Sequence, residues 1–218
     1  MMFIAALVLA GVDWYAVARR HRALEMAAKP ATLIAIILAA WLLRAGPHDA
    51  WQAGFFLAGL ALSLAGDVAL LLPGTRAFLA GLVAFLLAHL AYIAGLNPAP
   101  PPAAALVLVP VVAVVWLMLF RAIAVGLRRS GETGLLAPVA VYSVVLALML
   151  LSAWATLFRP EWSAARRALV IAGATLFFAS DTLLAWNRFV GPAAGGRLAV
   201  MVSYHLGQLA LAASIAEW

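Results

Sequence analysis

Residues 51–72 read WQAGFFLAGLALSLAGDVALLL, and Asp67 is the single charge among them. A helix of that length rises about 33 Å, enough to cross roughly 30 Å of hydrocarbon. An ionisable group inside such a segment costs about 3 kcal/mol on insertion scales, so it marks a functional site by default. Residues 165–187, ARRALVIAGATLFFASDTLLAWN, repeat the situation with Asp181. Each acid follows a small residue, Gly66 in one case and Ser180 in the other.

The whole chain agrees with these two stretches. Its 218 residues are 67% hydrophobic and 10% charged, with a mean hydropathy of +1.10. Soluble domains carry about 25% charged residues, so the composition is that of a membrane protein. The net charge of +6 does not point to nucleic acid, because the arginines gather in short connections and not along one polar surface. Cysteine is absent, which excludes thiolate nucleophiles, thiolate metal sites and disulfides.

Eight apolar segments are long enough to span: roughly 2–18, 29–45, 51–72, 76–96, 102–121, 135–158, 165–187 and 198–216. The expected fold is therefore an all-α, polytopic bundle of eight transmembrane helices forming a single integral membrane domain. Turn chemistry fills the breaks: Gly46-Pro47-His48-Asp49, Pro73-Gly74, Asn97 to Pro102, Ser130-Gly131-Glu132 and Gly191-Pro192. Pro110 falls within the fifth segment and is expected to kink it. The first segment lacks a preceding positive charge and is followed by Arg19-Arg20-His21-Arg22. It reads as a spanning helix and not as a secretion signal. Every connection is short, which excludes a soluble sensor domain or kinase.

Lysine and arginine set the orientation. With the N-terminus outside, the inner connections hold Arg19, Arg20, Arg22, Lys29, Arg76, Arg121, Arg128, Arg129, Arg188 and Arg197, against Arg44, Arg159, Arg166 and Arg167 outside. Both termini are thus expected outside the cytoplasm, in a bacterial inner membrane. Asp67 then lies five residues, about 8 Å, below the inner end of its span, and Asp181 six residues, about 9 Å. Lys29 opens the second segment at that surface, Asp13 lies near the inner end of the first, and Tyr204 and His205 come to the same level. His89 is deeper.

The halves resemble each other weakly. Gly66-Asp67-Val-Ala-Leu-Leu is similar to Ser180-Asp181-Thr-Leu-Leu-Ala, and Tyr92 and Tyr204 follow in the next spans. A four-plus-four duplication would bring both acids near the centre.

Asp67 and Asp181 are the candidate catalytic residues, and Lys29, His89, Tyr92, Tyr204 and Gln208 the candidate substrate-binding ones. Each has a plainer reading. The aspartates could be packing groups across small-residue contacts. Tyr204 and Gln208, one turn apart, either hydrogen-bond a carboxylate or substrate oxygen, or join helices. His89 and Tyr92 follow Phe85 on one stripe facing the bundle interior, where a lone histidine is commonly a core residue. Lys29 either snorkels or holds a phosphate or carboxylate. No metal is expected, because the histidines and acids lack ligand spacing.

Taken in order, several segments resemble the lysoplasmalogenase, or YhhN-like, family of eight-span membrane proteins. They are Lys29-Pro30, Gly66-Asp67 with Leu71-Leu72-Pro73, Phe85 to Tyr92, Gly173-Ala174 to Ala185, and Ser203 to Gln208. The resemblance implies hydrolysis of the vinyl ether of a lysophospholipid to a fatty aldehyde and a glycerophospho-base, with Asp67 and Asp181 as catalytic residues and no cofactor. It leaves open the headgroup and chain preference, the oligomeric state, and whether the substrate is a plasmalogen or another lipid. The expected partners are the lysophospholipid substrate and membrane lipids.

Vinyl ether hydrolysis begins with proton transfer to carbon and passes through an oxocarbenium ion that water traps. One carboxyl must deliver a proton while the other stays ionised, the division of labour seen in glycosidases. The sequence leaves open which of the two is the donor; the flanking Phe177 and Phe178 tilt the choice towards Asp181. The competing class is a proton-coupled small-molecule or lipid transporter, which also uses intramembrane carboxylates.

Overall fold

The computed structural model describes residues 2–44 and 50–216; the turn expected at Gly46-Pro47-His48-Asp49 lies outside them. Among the described residues there are eight α-helices and no extended sheet. They are α1 (Met2–Ala18), α2 (Arg22–Leu43), α3 (Ala50–Leu71), α4 (Thr75–Leu96), α5 (Val109–Arg129), α6 (Leu136–Ala155), α7 (Ala164–Phe189) and α8 (Gly196–Ala213). Six of them, α2 to α7, are long and apolar enough to cross a membrane, whereas α1 is apolar but shorter. Outward faces are as apolar as the core: Leu106 and Met118 are each 69% exposed. That inversion fits a hydrocarbon solvent, which also requires each backbone polar group to be satisfied within a helix.

Three sequential pairs, α1 with α2, α3 with α4 and α7 with α8, make the most extensive contacts. Small residues let these backbones approach. A Cβ on Gly59 would stand 2.8 Å from the ring of Tyr92, and one on Gly207 would stand 3.0 Å from both Gly173 O and Phe177 N. The buried core runs through all of these pairs, with Phe56, Tyr92 and Phe177 fully enclosed. α5 behaves differently. Its buried residues are Ile123, Ala124, Gly126 and Leu127, all near its C-terminal end, and none in its first half is buried.

Three expectations from the sequence need correction. α2 begins at Arg22, not at Lys29, so Lys29 and Pro30 lie two turns inside it. Residues 22–28, Arg-Ala-Leu-Glu-Met-Ala-Ala, are strong helix formers, and the His21 side chain caps them by accepting from Leu24 N at 3.3 Å. Pro110 does not kink the fifth helix; it sits in the first turn of α5, where a missing N–H costs nothing. A 3-10 segment, Ala103–Leu108, leads into it. Arg121 lies inside α5, well before its end at Arg129, instead of in a connection. With Lys29 and Arg121 removed, the basic residues near the two ends stand at eight against four.

Candidate active site

α3, α7 and α8 carry acidic or hydroxyl groups into one cavity. Asp67 is four residues from the end of α3, about 6 Å, and Asp181 eight residues from the end of α7, about 12 Å. The longer α7 puts Asp181 deeper than its sequence suggested. Gly66 allows the approach of α4 beneath Asp67, since a Cβ there would meet the Phe85 ring at 2.6 Å.

Asp67 is 1% exposed and fully engaged. Its Oδ1 is 2.9 Å from Lys29 Nζ, and Tyr204 Oη donates to its Oδ2 at 2.7 Å. The buried position of Lys29 within α2 thus serves a carboxylate, not the membrane interface. Asp181 has other company. Tyr142 Oη, on α6, donates a short hydrogen bond to its Oδ2. His89 Nε2 is 3.6 Å from the same oxygen, beyond hydrogen-bond reach. Among the described residues no lysine or arginine is ion-paired to Asp181.

Both carboxylates line one cavity of about 420 Å³, together with Lys29, Tyr204 and Ser180. Its mouth is basic, with Arg22, Arg188 and Arg197 in the lining. Arg197 Nη2 is 2.9 Å from Glu25 Oε1 across that mouth, and Arg22 donates to the Leu71 carbonyl at the end of α3. A second, narrow cleft with largely apolar walls adjoins it, lined by Leu82, Trp116, Phe120, Leu146 and Phe178. Asp181, Phe85, Leu184 and Arg188 belong to both. Asp181 therefore sits where a polar chamber meets an apolar one.

The remaining expected residues lie behind this wall. Tyr92 Oη donates to Gln208 Oε1 at 2.6 Å, tying α4 to α8, and His89, Tyr92 and Gln208 are each 0% exposed. None of the three lines the cavity. Phe177 is the hub that holds them: His89, Tyr92 and Tyr204 meet its ring edge-to-face with centroids 4.7, 6.3 and 5.4 Å away. His205 turns from the site and accepts from Trp14 Nε1 at 3.1 Å, joining α8 to α1. Asp13, on α1, is also fully buried, and Lys29 and Asp67 act on it electrostatically.

Sequence reasoning missed Tyr142. Its one signal was being a tyrosine, among only four, in the apolar stretch that becomes α6. The basic mouth was missed in part, because Arg22, Arg188 and Arg197 read as orientation signals.

Comparison with known proteins follows the same lines. The YhhN family matches residues 24–215. Lysoplasmalogenase TMEM86B of Sus scrofa is 34% identical over 160 residues, covering 72% of this chain and 62% of the pig protein. The Rattus norvegicus protein of the same name is 31% identical over 189 residues, covering 84% of this chain and 69% of its own. A lysoplasmalogenase of Mycobacterium tuberculosis is 32% identical over 177 residues, covering 78% and 62%. The chain thus spans about three fifths of the pig and mycobacterial relatives. No solved structure matches it. The chain is an integral membrane protein belonging to the YhhN family.

Proposed function

We propose that this protein hydrolyses the vinyl ether bond of lysoplasmalogen-type lysophospholipids, releasing a fatty aldehyde and a glycerophospho-base. One observation carries the reading: two carboxylates on separate helices share a cavity, and among the described residues only Asp67 is ion-paired to a lysine or arginine. Asp67, held by Lys29 and Tyr204, is the ionised partner. Asp181, with a tyrosine donor and an apolar cleft beside it, is the proton donor. The names of the relatives favour hydrolysis over transport.

The reaction balances with one water. Asp181 gives its proton to the outer vinyl carbon, leaving an oxocarbenium ion at the carbon bonded to the ether oxygen. The negative charge of Asp67 stabilises that cation, as preorganised charge does in an enclosed site. Water adds to the cation and passes a proton to a carboxylate, and the hemiacetal collapses to aldehyde and alcohol. Tyr142 and Tyr204 orient the acids, whereas His89, Tyr92 and Gln208 set the wall behind them. Arg22, Arg188 and Arg197 receive the phosphate at the mouth, leaving Lys29 to Asp67.

The proposal extends to the whole chain. Eight spans form a single membrane domain, α1 and α8 included, since 17 and 18 residues approach the length needed. A four-plus-four duplication accounts for each acid falling on the third helix of its half. The basic mouth faces the cytoplasm of a bacterial inner membrane, with both termini outside.

The test uses purified protein in detergent with a lysoplasmenyl lipid, measuring aldehyde released. The protein releases aldehyde, and Asp67→Asn and Asp181→Asn each lower the rate by about 10²- to 10⁴-fold. Undiminished release in both variants overturns the mechanism.

A further inference from the structure

Beyond the apolar cleft lies a groove between α5 and α6, of about 190 Å³, lined by Val109, Val112, Ala113, Val144, Ala147 and Leu151. Trp116 lines both spaces. Its indole N–H donates to Ser143 Oγ at 3.0 Å, and Phe120 stacks on it with centroids 5.5 Å apart and planes 6° from parallel. The ring is therefore fixed as a bar from α5 to α6. We propose that the substrate's hydrocarbon chain runs from Asp181 through the cleft and past Trp116 into this groove, with Trp116 setting the chain length accepted.

The proposal rests on the hydrolase reading for the nature of the ligand. Geometry supplies the path. A lysolipid has one polar head and one apolar chain, and the two spaces that would receive them join at Asp181, next to the bond to be broken. Tyr142, which holds Asp181, is the sequence neighbour of Ser143, which holds Trp116. Asp181 and Trp116 line the same cleft, so a chain leaving Asp181 along it passes Trp116. From Trp116 to Val109 the groove adds about 10 Å along α5. None of the α5 residues before Ile123 is buried, so the groove is open to take that chain. Hydrocarbon leaving water does not drive the fit, because the bilayer is equally apolar; shape does. A group placed in the path of the chain changes specificity by about tenfold.

The test is a lysoplasmenyl lipid with a photoreactive diazirine at the end of a long alkenyl chain, incubated with the full chain in nanodiscs. After illumination the label is expected on peptides covering Val109 to Trp116 and Val144 to Leu151, and excess unlabelled lysolipid suppresses it about tenfold. Ala147→Trp, which fills the groove, moves the label elsewhere. A diacyl lipid with the same label marking these peptides equally, or a pattern indifferent to Ala147→Trp, overturns the proposal. In a second arm, aldehyde release is compared for long and short chains within each variant. The long-to-short ratio falls about tenfold in Ala147→Trp and rises in Trp116→Ala, while Trp116→Phe keeps it near wild type. Misfolding lowers both rates and leaves the ratio alone. If the wild type releases no aldehyde from either lipid, the hydrolase reading fails, and the labelling pattern still decides the path of the chain.

Discussion

Lys29 and Asp67 lie 2.9 Å apart with side chains 6% and 1% exposed, so neither charge has solvent to fall back on. Removing one partner of such a pair strands the other, at about 3–5 kcal/mol, while replacing both is close to neutral. Asp67→Asn is therefore expected to lower the thermal unfolding temperature sharply, and Asp67→Asn combined with Lys29→Met to recover most of it. Aldehyde release stays lost in both, which separates stability from chemistry. Tyr142→Phe removes the hydroxyl donor of Asp181 without touching Lys29. A hydrogen bond to an ionised or ionising carboxyl is worth about 1.5–3 kcal/mol, so kcat should fall roughly ten- to a hundredfold with KM little changed; equal loss in KM would mean that Tyr142 binds the lipid instead. The two aspartates were legible because a charge within an apolar run is too costly to persist there without a partner or a task. Tyr142 was not, because its partner is 39 residues away and a hydroxyl among aliphatic residues has no pattern of its own.

Helix existence followed from apolar length, and helix starts did not. At α2 the apolar run begins near Lys29, whereas the helix begins at Arg22, since backbone propensity and a cap do not need apolar side chains. At α5 the opposite occurs: apolar residues from 103 to 108 form a 3-10 segment, and the α-helix starts where Pro110 suits its first turn. The packing of α5 was beyond sequence altogether. It depends on Gly126, where a Cβ would stand 2.2 Å from the Phe189 carbonyl oxygen. Because the atoms it would meet, of Phe189 and Val190, are all backbone, Gly126→Ala must push α5 from the end of α7. Overpacking of this kind costs about 1–3 kcal/mol, which predicts a fall of roughly 3–10 °C in melting temperature. Gly134→Ala, with nothing within 4 Å of the new Cβ, is the control that should leave melting unchanged.

Across the described residues the basic side chains gather at the end where the cavity opens, and the proposed orientation, with that end in the cytoplasm, rests on this bias. These 218 residues contain no cysteine, so single cysteines placed in them report sidedness without background. Glu161→Cys, at the exposed α6–α7 connection, should react with an impermeant maleimide in intact cells. Arg129→Cys, exposed at the end of α5, should react only after permeabilisation; the reverse pattern inverts the orientation and puts the cavity mouth on the other face. The ion pair within the bundle bears on how the chain enters the bilayer. A lysine in α2 and an aspartate in α3 each resist hydrocarbon by about 3 kcal/mol when alone, and neutralise each other when together. Inserted together as a hairpin, α2 and α3 escape both penalties, so the partner of Asp67 is in place from the moment the pair enters hydrocarbon.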